Sequence, residues 1–192
     1  MLTRRTILGA SLALPAIRTA RAAMPGVMRI GIGTSLSRLD PLMTTLGDEY
    51  IYDNLVFNGL TRMAENLTTQ PDLATAWEFT PDLKTWTFHL RQDVKFHDGA
   101  PMTAADVLAT FHRLLDPAQN APSRSNYDMI AGMTAPDDHT VVFTLSQPYG
   151  GLADIMTDRQ VKIVPRDKIA QLPTQPIGTG PFKFVSYTPG DR

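Results

Sequence analysis

The stretch VKFHDGAPMTAADVLATF (residues 94–111), with the residue after it, gathers the side chains best able to do chemistry. It sets His97 beside Asp98 and then adds Thr103, Asp106 and His112. A histidine next to a carboxylate suits general acid–base work or a share of a zinc site. Zinc asks for three or four ligands converging on one point. The four histidines (His89, His97, His112 and His139) show no H-x-H or H-x-x-x-H spacing. The chain has no cysteine, which removes disulfides, thiolate-bound zinc and a cysteine nucleophile. G-x-S-x-G, S-x-x-K and H-E-x-x-H are all absent, so an exported hydrolase or metalloenzyme lacks its nucleophile–base pair or ligand cluster. Gly178-x-Gly180 is not a phosphate loop, because no Lys-Ser/Thr follows and no helix opens there. No catalytic residue, metal site or cofactor is expected.

The same residues read fully as scaffold. Asp98-Gly99 is a favoured turn pair, since glycine takes positive φ at little cost. Thr103-x-x-Asp106 resembles a capping box at a helix start. Val107, Leu108, Phe111, Leu114 and Leu115 then line one helical face, and Asp116-Pro117 stops the helix. His97 follows the inward Phe96 and should point away from the core.

Other elements must position these. VMRIGIGTSL (27–36) predicts a strand with Ile30 and Ile32 on one face, broken at Asp40-Pro41. Residues 47–60 predict a helix with Asp48 and Glu49 in its first turn. Its apolar stripe is Ile51 and Leu55 with Tyr52 and Val56, and Asn58-Gly59 ends it. Residues 60–91 predict short strands, the last with Trp86, Phe88 and Leu90 facing one way. A turn at Asp137-Asp138 leads into a strand, TVVFTL. A short helix follows in GLADIM, then the apolar KIV. Finally a Gly-Thr-Gly-Pro turn precedes a strand with Phe182, Phe184 and Ser186 alternating.

Composition fits a soluble globular chain: of 192 residues, 43% are hydrophobic and 19% charged, with 15 prolines favouring a loop-rich α/β or α+β fold. A net charge of −1 argues for neither nucleic acid nor an anionic membrane as partner. The N-terminus carries Arg4-Arg5, an apolar run from Ile7 to Ile17, and Ala20-Arg21-Ala22. That run is too short to span a bilayer, which needs ~20 residues. Residues 1–22 read as an export signal of the twin-arginine type, with an ordinary secretory signal as the alternative.

Several stretches occur in a fixed order. They are LDP (39–41), YDNLVFNGLTR (52–62), PDLATAWEF…RLLDP (71–117), DDHTVVFTLSQPY (137–149), IVP (163–165) and PIGTGPFKF (176–184). This series resembles the extracytoplasmic solute-binding proteins of the peptide/nickel class, family 5, which serve ABC importers. The resemblance implies an α/β (mixed α+β) fold. It is that of the N-terminal lobe of a two-lobed periplasmic-binding-protein-like molecule (class II, cluster C), truncated. Residues 23–192 would be a partial first lobe, with the second lobe absent and the strands near 28–33 and 182–187 short of neighbours. KFHDG would be structural, pinning a hairpin to a helix.

The implied function is capture of di- or oligopeptides in an interlobe cleft and delivery to membrane permease subunits. The protein would be a monomer without enzymatic activity. Without a cysteine at the cleavage site it would be periplasmic and soluble rather than lipid-anchored. A nickel chelate, an oligosaccharide, an opine or another solute is the alternative cargo within the class, and a peptide-holding chaperone is an alternative outside it. The chain by itself is expected to bind no ligand tightly. First-lobe ligand contacts implied by the resemblance are Met43, Thr44, Thr45, Asp48, Tyr127, Asp158 and Arg159. The plain readings beside them are that Tyr127 packs on the helix at 104–115 and that Arg159 is a solvated charge.

Overall fold

The computed structural model describes residues 30–188. The twin-arginine segment and residues 27–29 of the first expected strand lie outside them. Among the described residues, three α-helices and six strands follow in chain order. They are α1 (Gly47–Val56), β1 (Thr61–Met63), β2 (Thr69–Pro71), β3 (Ala74–Phe79), β4 (Thr85–Leu90), α2 (Ala104–Leu115), β5 (Ile130–Asp137), β6 (Thr140–Leu145) and α3 (Leu152–Ile155). No helix among them is long and apolar enough to cross a membrane.

The centre is an antiparallel sheet in the order β3-β4-β6-β5. Strict alternation builds it. Trp86, Phe88 and Leu90 of β4 are buried, as are Val141, Phe143 and Leu145 of β6. Because the register pairs Trp86 with Phe143 and Phe88 with Val141, both apolar sets fall on one face. Helix α2 covers that face with Val107, Phe111 and Leu114, none of which keeps exposed surface. Phe111 meets Phe143 edge to face at 4.9 Å, and Phe143 meets Phe88 at 5.6 Å. Such aromatic contacts add to the area each ring buries.

The expected cap on α2 forms. The Thr103 N–H donates to the Asp106 carboxylate at 2.9 Å, and the same carboxyl group accepts from the Arg166 N–H at 3.1 Å. One side chain thereby starts the helix and anchors the segment after α3. Gly99 takes φ +92°, which the Asp-Gly turn required.

Three expectations fail for physical reasons. Residues 30–36 and 183–188 are not strands, and Ile32 and Phe182 are exposed. Alternation alone makes no strand; a ladder needs a neighbour, and no described segment pairs with either. The buried face of α1 is not Ile51 and Leu55. It is Glu49, Asp53 and Val56, while Ile51 is 43% exposed. The helix also ends at Val56, before Asn58-Gly59. The reason is the glycine turn 122 positions later: the Gly180 N–H donates to Val56 O at 2.9 Å and the Phe182 N–H to Leu55 O at 3.0 Å. These donors satisfy carbonyls that a helix end leaves without partners.

His97 belongs to the same junction. Its N–H donates to Gly178 O (2.9 Å), its Nε2 lies 2.8 Å from Gly180 O, and the Gly178 N–H approaches its Nδ1 at 3.4 Å. The carbonyl needs a donor and the N–H an acceptor, so the proton sits on Nε2. KFHDG forms the expected hairpin into α2, with the Phe96 N–H donating to Ala100 O at 2.9 Å and the Met102 N–H to Val94 O at 3.1 Å, and His97 in addition clasps the Gly178-Thr179-Gly180 turn.

Candidate ligand cleft

Two polar clusters flank α1. The first gathers at its N-terminus. Glu49 is fully buried, and its Oε1 accepts from the Ser37 N–H (3.0 Å), the Ser37 hydroxyl (2.5 Å) and the Arg38 N–H (3.1 Å). Its Oε2 accepts from the N–H groups of Thr45 (2.8 Å) and Leu46 (3.0 Å). Burial alone would push this carboxyl group up. The Ser37 hydroxyl and the Leu46, Thr45 and Ser37 N–H donors outweigh it and hold the pKa at about 2. Asp48 does similar work at the surface, accepting from the Thr34 N–H at 2.6 Å and the Thr34 hydroxyl at 2.8 Å. Those bonds, the hydroxyl's first, lower its pKa. The loop at 34–46 is thus tied to the helix start by carboxylates.

The second cluster lies behind the helix. Asp53 is fully buried, its Oδ2 is 2.6 Å from Thr44 Oγ1, and its Oδ1 has no partner. Burial drives its pKa up to about 7 against the opposing pull of the Thr44 hydroxyl and Lys162. Thr44 Oγ1 also lies 2.8 Å from Pro41 O. One hydroxyl proton cannot serve both contacts, so the arrangement closes when protonated Asp53 donates to Thr44 and Thr44 donates to Pro41. Lys162 is buried beside this group. Its Nζ donates to Asn54 Oδ1 at 2.8 Å, and burial lowers its pKa although Asp72, Asp53 and Asp158 oppose the shift.

An open cleft of about 660 Å³ borders this cluster. Asn54 of α1, Arg62 and Met63 of β1, Asp158 and Arg159 after α3, and Lys162 are among its walls. The Arg159 guanidinium stacks 4.3 Å above the centre of the Tyr50 ring, which steadies it against α1. Asp158 accepts from the Gln160 N–H at 3.0 Å.

Of the seven residues expected to touch a solute, Asp158 and Arg159 line this cleft and the others do not. Tyr127 is corrected: it has no exposed surface, its hydroxyl donates to Ile155 O at 2.6 Å, and its ring meets Phe111 of α2 edge to face at 5.9 Å. An aromatic ring in a polar stretch gains more from core burial than from a pocket wall. Thr44 is corrected too, since it is fully buried and spends its hydroxyl on Pro41 and Asp53. Met43 packs half-buried against the core, Thr45 is exposed, and Asp48 is engaged by Thr34. Sequence reasoning missed Arg62, Asn54 and Lys162. Lys162 did leave a trace, a lone cation inside the apolar run VKIV.

The fold and the order of these elements match a known model. Residues 68–192 fit bacterial extracellular solute-binding proteins, family 5 Middle. The chain belongs to this family. A probable peptide ABC transporter periplasmic-binding protein of Sinorhizobium fredii is 31% identical over 182 residues, covering 92% of this chain and 34% of its own length. Among solved structures of similar proteins, AgaA of A. tumefaciens R10, in complex with agropinic acid, superposes with a TM-score of 0.75 at 36% identity. That match covers 79% of this chain and 32% of AgaA. Haemophilus influenzae OppA, in complex with the peptide RPPGFSPFR, superposes at 0.76 and 28% identity, covering 83% and 36%. This family-5 chain therefore spans about a third of the length of the relatives it matches. The family is one of binding proteins rather than enzymes.

Proposed function

We propose that this family-5 chain is the first-lobe part of the substrate-binding component of an ABC importer. It would capture di- or oligopeptides in a cleft between two lobes and present them to membrane permease subunits. The match over residues 68–192 carries the reading, and likeness to peptide-binding relatives supports peptides as the cargo. Residues 1–22 would be a removed export signal of the twin-arginine type. Residues 23–192 would be part of the first lobe of a soluble, monomeric periplasmic protein. Closure of the lobes around ligand would be a hinge motion stabilised by contacts from both sides.

A second reading has specific support. The 36% identity to AgaA, solved with agropinic acid, favours a non-peptide solute of opine type.

The test is a thermal-shift panel on the continuous full-length product with dipeptides, longer peptides, opines, nickel chelates and oligosaccharides. A ligand at ~100 times its Kd adds ~2.7 kcal/mol to a state that alone binds it. A shift confined to peptides upholds the first reading, and one confined to opines the second. No shift from a folded protein would overturn both.

A further inference from the structure

We infer that the cleft beside α1 holds a carboxylate-binding subsite, with the guanidinium groups of Arg62 and Arg159 as its donors. The inference rests on the solute-binding reading above and narrows its cargo to solutes that present a carboxylate to this lobe.

Both arginines line the cleft, one from β1 and one from the segment after α3, nearly a hundred residues apart in sequence. Both are exposed, and among the described residues neither makes an ion pair. Arg113, Arg124 and Arg166 each have a carboxylate partner within 4 Å, and the other described arginines without an ion pair, Arg38 and Arg91, lie outside this cleft. The carboxylates of the cleft are already engaged: Asp154 accepts from the Thr69 hydroxyl and Asp158 from the Gln160 N–H. The third cation, Lys162, is held by Asn54. The cleft wall thus carries three cations against two carboxylates, and the two free forks are the arginines.

A planar guanidinium matches a carboxylate in two parallel hydrogen bonds, which an ammonium cannot do. The contact with the Tyr50 ring restrains the Arg159 guanidinium before a ligand arrives, so less freedom is lost on binding. Arg62 stands on a paired strand, opposite Gln70. Two forks on one wall suit either the terminal carboxylate of a short peptide or an acidic side chain.

The experiment uses the full-length product and matched probes differing only in the acid: trialanine against trialanine amide, and Ala-Glu-Ala against Ala-Gln-Ala. Arg62→Gln, Arg159→Gln and a control outside the cleft, Arg166→Gln, are compared with the unaltered protein by calorimetric titration. The acid of at least one pair should bind about tenfold or more tightly than its amide. That preference should fall in both cleft variants and persist in the control, with unliganded melting temperatures unchanged. Preference in the first pair assigns the terminal carboxylate, and in the second the side chain. Equal binding within both pairs, or a preference that survives both substitutions, would overturn the subsite while leaving the binding function standing. If no probe binds, agropinic acid is titrated next against its amide; failure of every probe would overturn the subsite and the proposed function together.

Discussion

Asp40 and Arg113, 73 positions apart, form a two-pronged ion pair beneath the surface. Arg113 Nη1 donates to Asp40 Oδ1 at 3.0 Å and Nη2 to Oδ2, with both side chains largely buried. The pair joins the turn before α1 to the last turn of α2. Asp40 Oδ1 also accepts from the Leu42 N–H at 3.2 Å, so one carboxylate serves a cap and a tertiary bond. Removing one partner strands the other's charge in the interior. Arg113→Ala should cost about 3–5 kcal/mol, and the Asp40→Ala, Arg113→Ala double variant less than the sum of the two single changes. Urea midpoints for the four proteins measure the coupling; strict additivity would mean the pair contributes nothing.

The turn at Gly180 has no room for a side chain. A Cβ there would lie 2.6 Å from Leu55 O and 2.8 Å from the Phe57 nitrogen. Gly180→Ala should force the turn off the end of α1, break the contact from His97 and cost about 1–3 kcal/mol, as overpacking does. Faster amide exchange at Phe182 would accompany the loss. A variant as stable as the parent would mean the turn docks elsewhere.

Glu49 should make the protein acid-sensitive. Its folded pKa of about 2 lies below the ordinary value of 4.5, so its contribution is complete above pH 4.5. That contribution drains away as pH falls through 2. Glu49→Gln cannot accept from all five donors, because its NH₂ faces N–H groups. The substitution should cost roughly 1.5–3 kcal/mol at neutral pH and flatten the acid limb of the stability curve. Denaturant midpoints from pH 2 to 6 would reveal an unflattened limb, were Glu49 uninvolved.

Asp53 should act with the opposite sign. Burial raises its folded pKa from 3.8 to about 7, so the folded state holds a proton that the unfolded state has released across that interval. Stability from this group is therefore complete below pH 3.8 and falls as pH rises through 7. Asp53→Asn keeps the shape and never ionises. It should lose less stability than the parent between pH 5 and 8, read from urea midpoints at each pH. Parallel curves would show that Asp53 does not titrate in this window.

What could be read from the residues alone was whatever depends on near neighbours. The helix at 104–115 was legible because its cap, its apolar spacing and its Asp-Pro stop lie within fourteen positions. Strands β4 and β6 were legible because alternation against a single covered face leaves a period of two. The ordered motifs carried the family as well. Tertiary structure decided the rest, because the deciding partner was far away. Glu49 and Asp53 look like surface charges on a helix until the segments at 34–46 and 160–162 cover them. The end of α1 was set by Gly180, not by Asn58-Gly59. Nothing local distinguished Arg62 from other arginines, and Arg159 was marked out by the family resemblance alone. Only the fold brought two unpaired forks to one cleft, and put Tyr127 in the core instead of beside them.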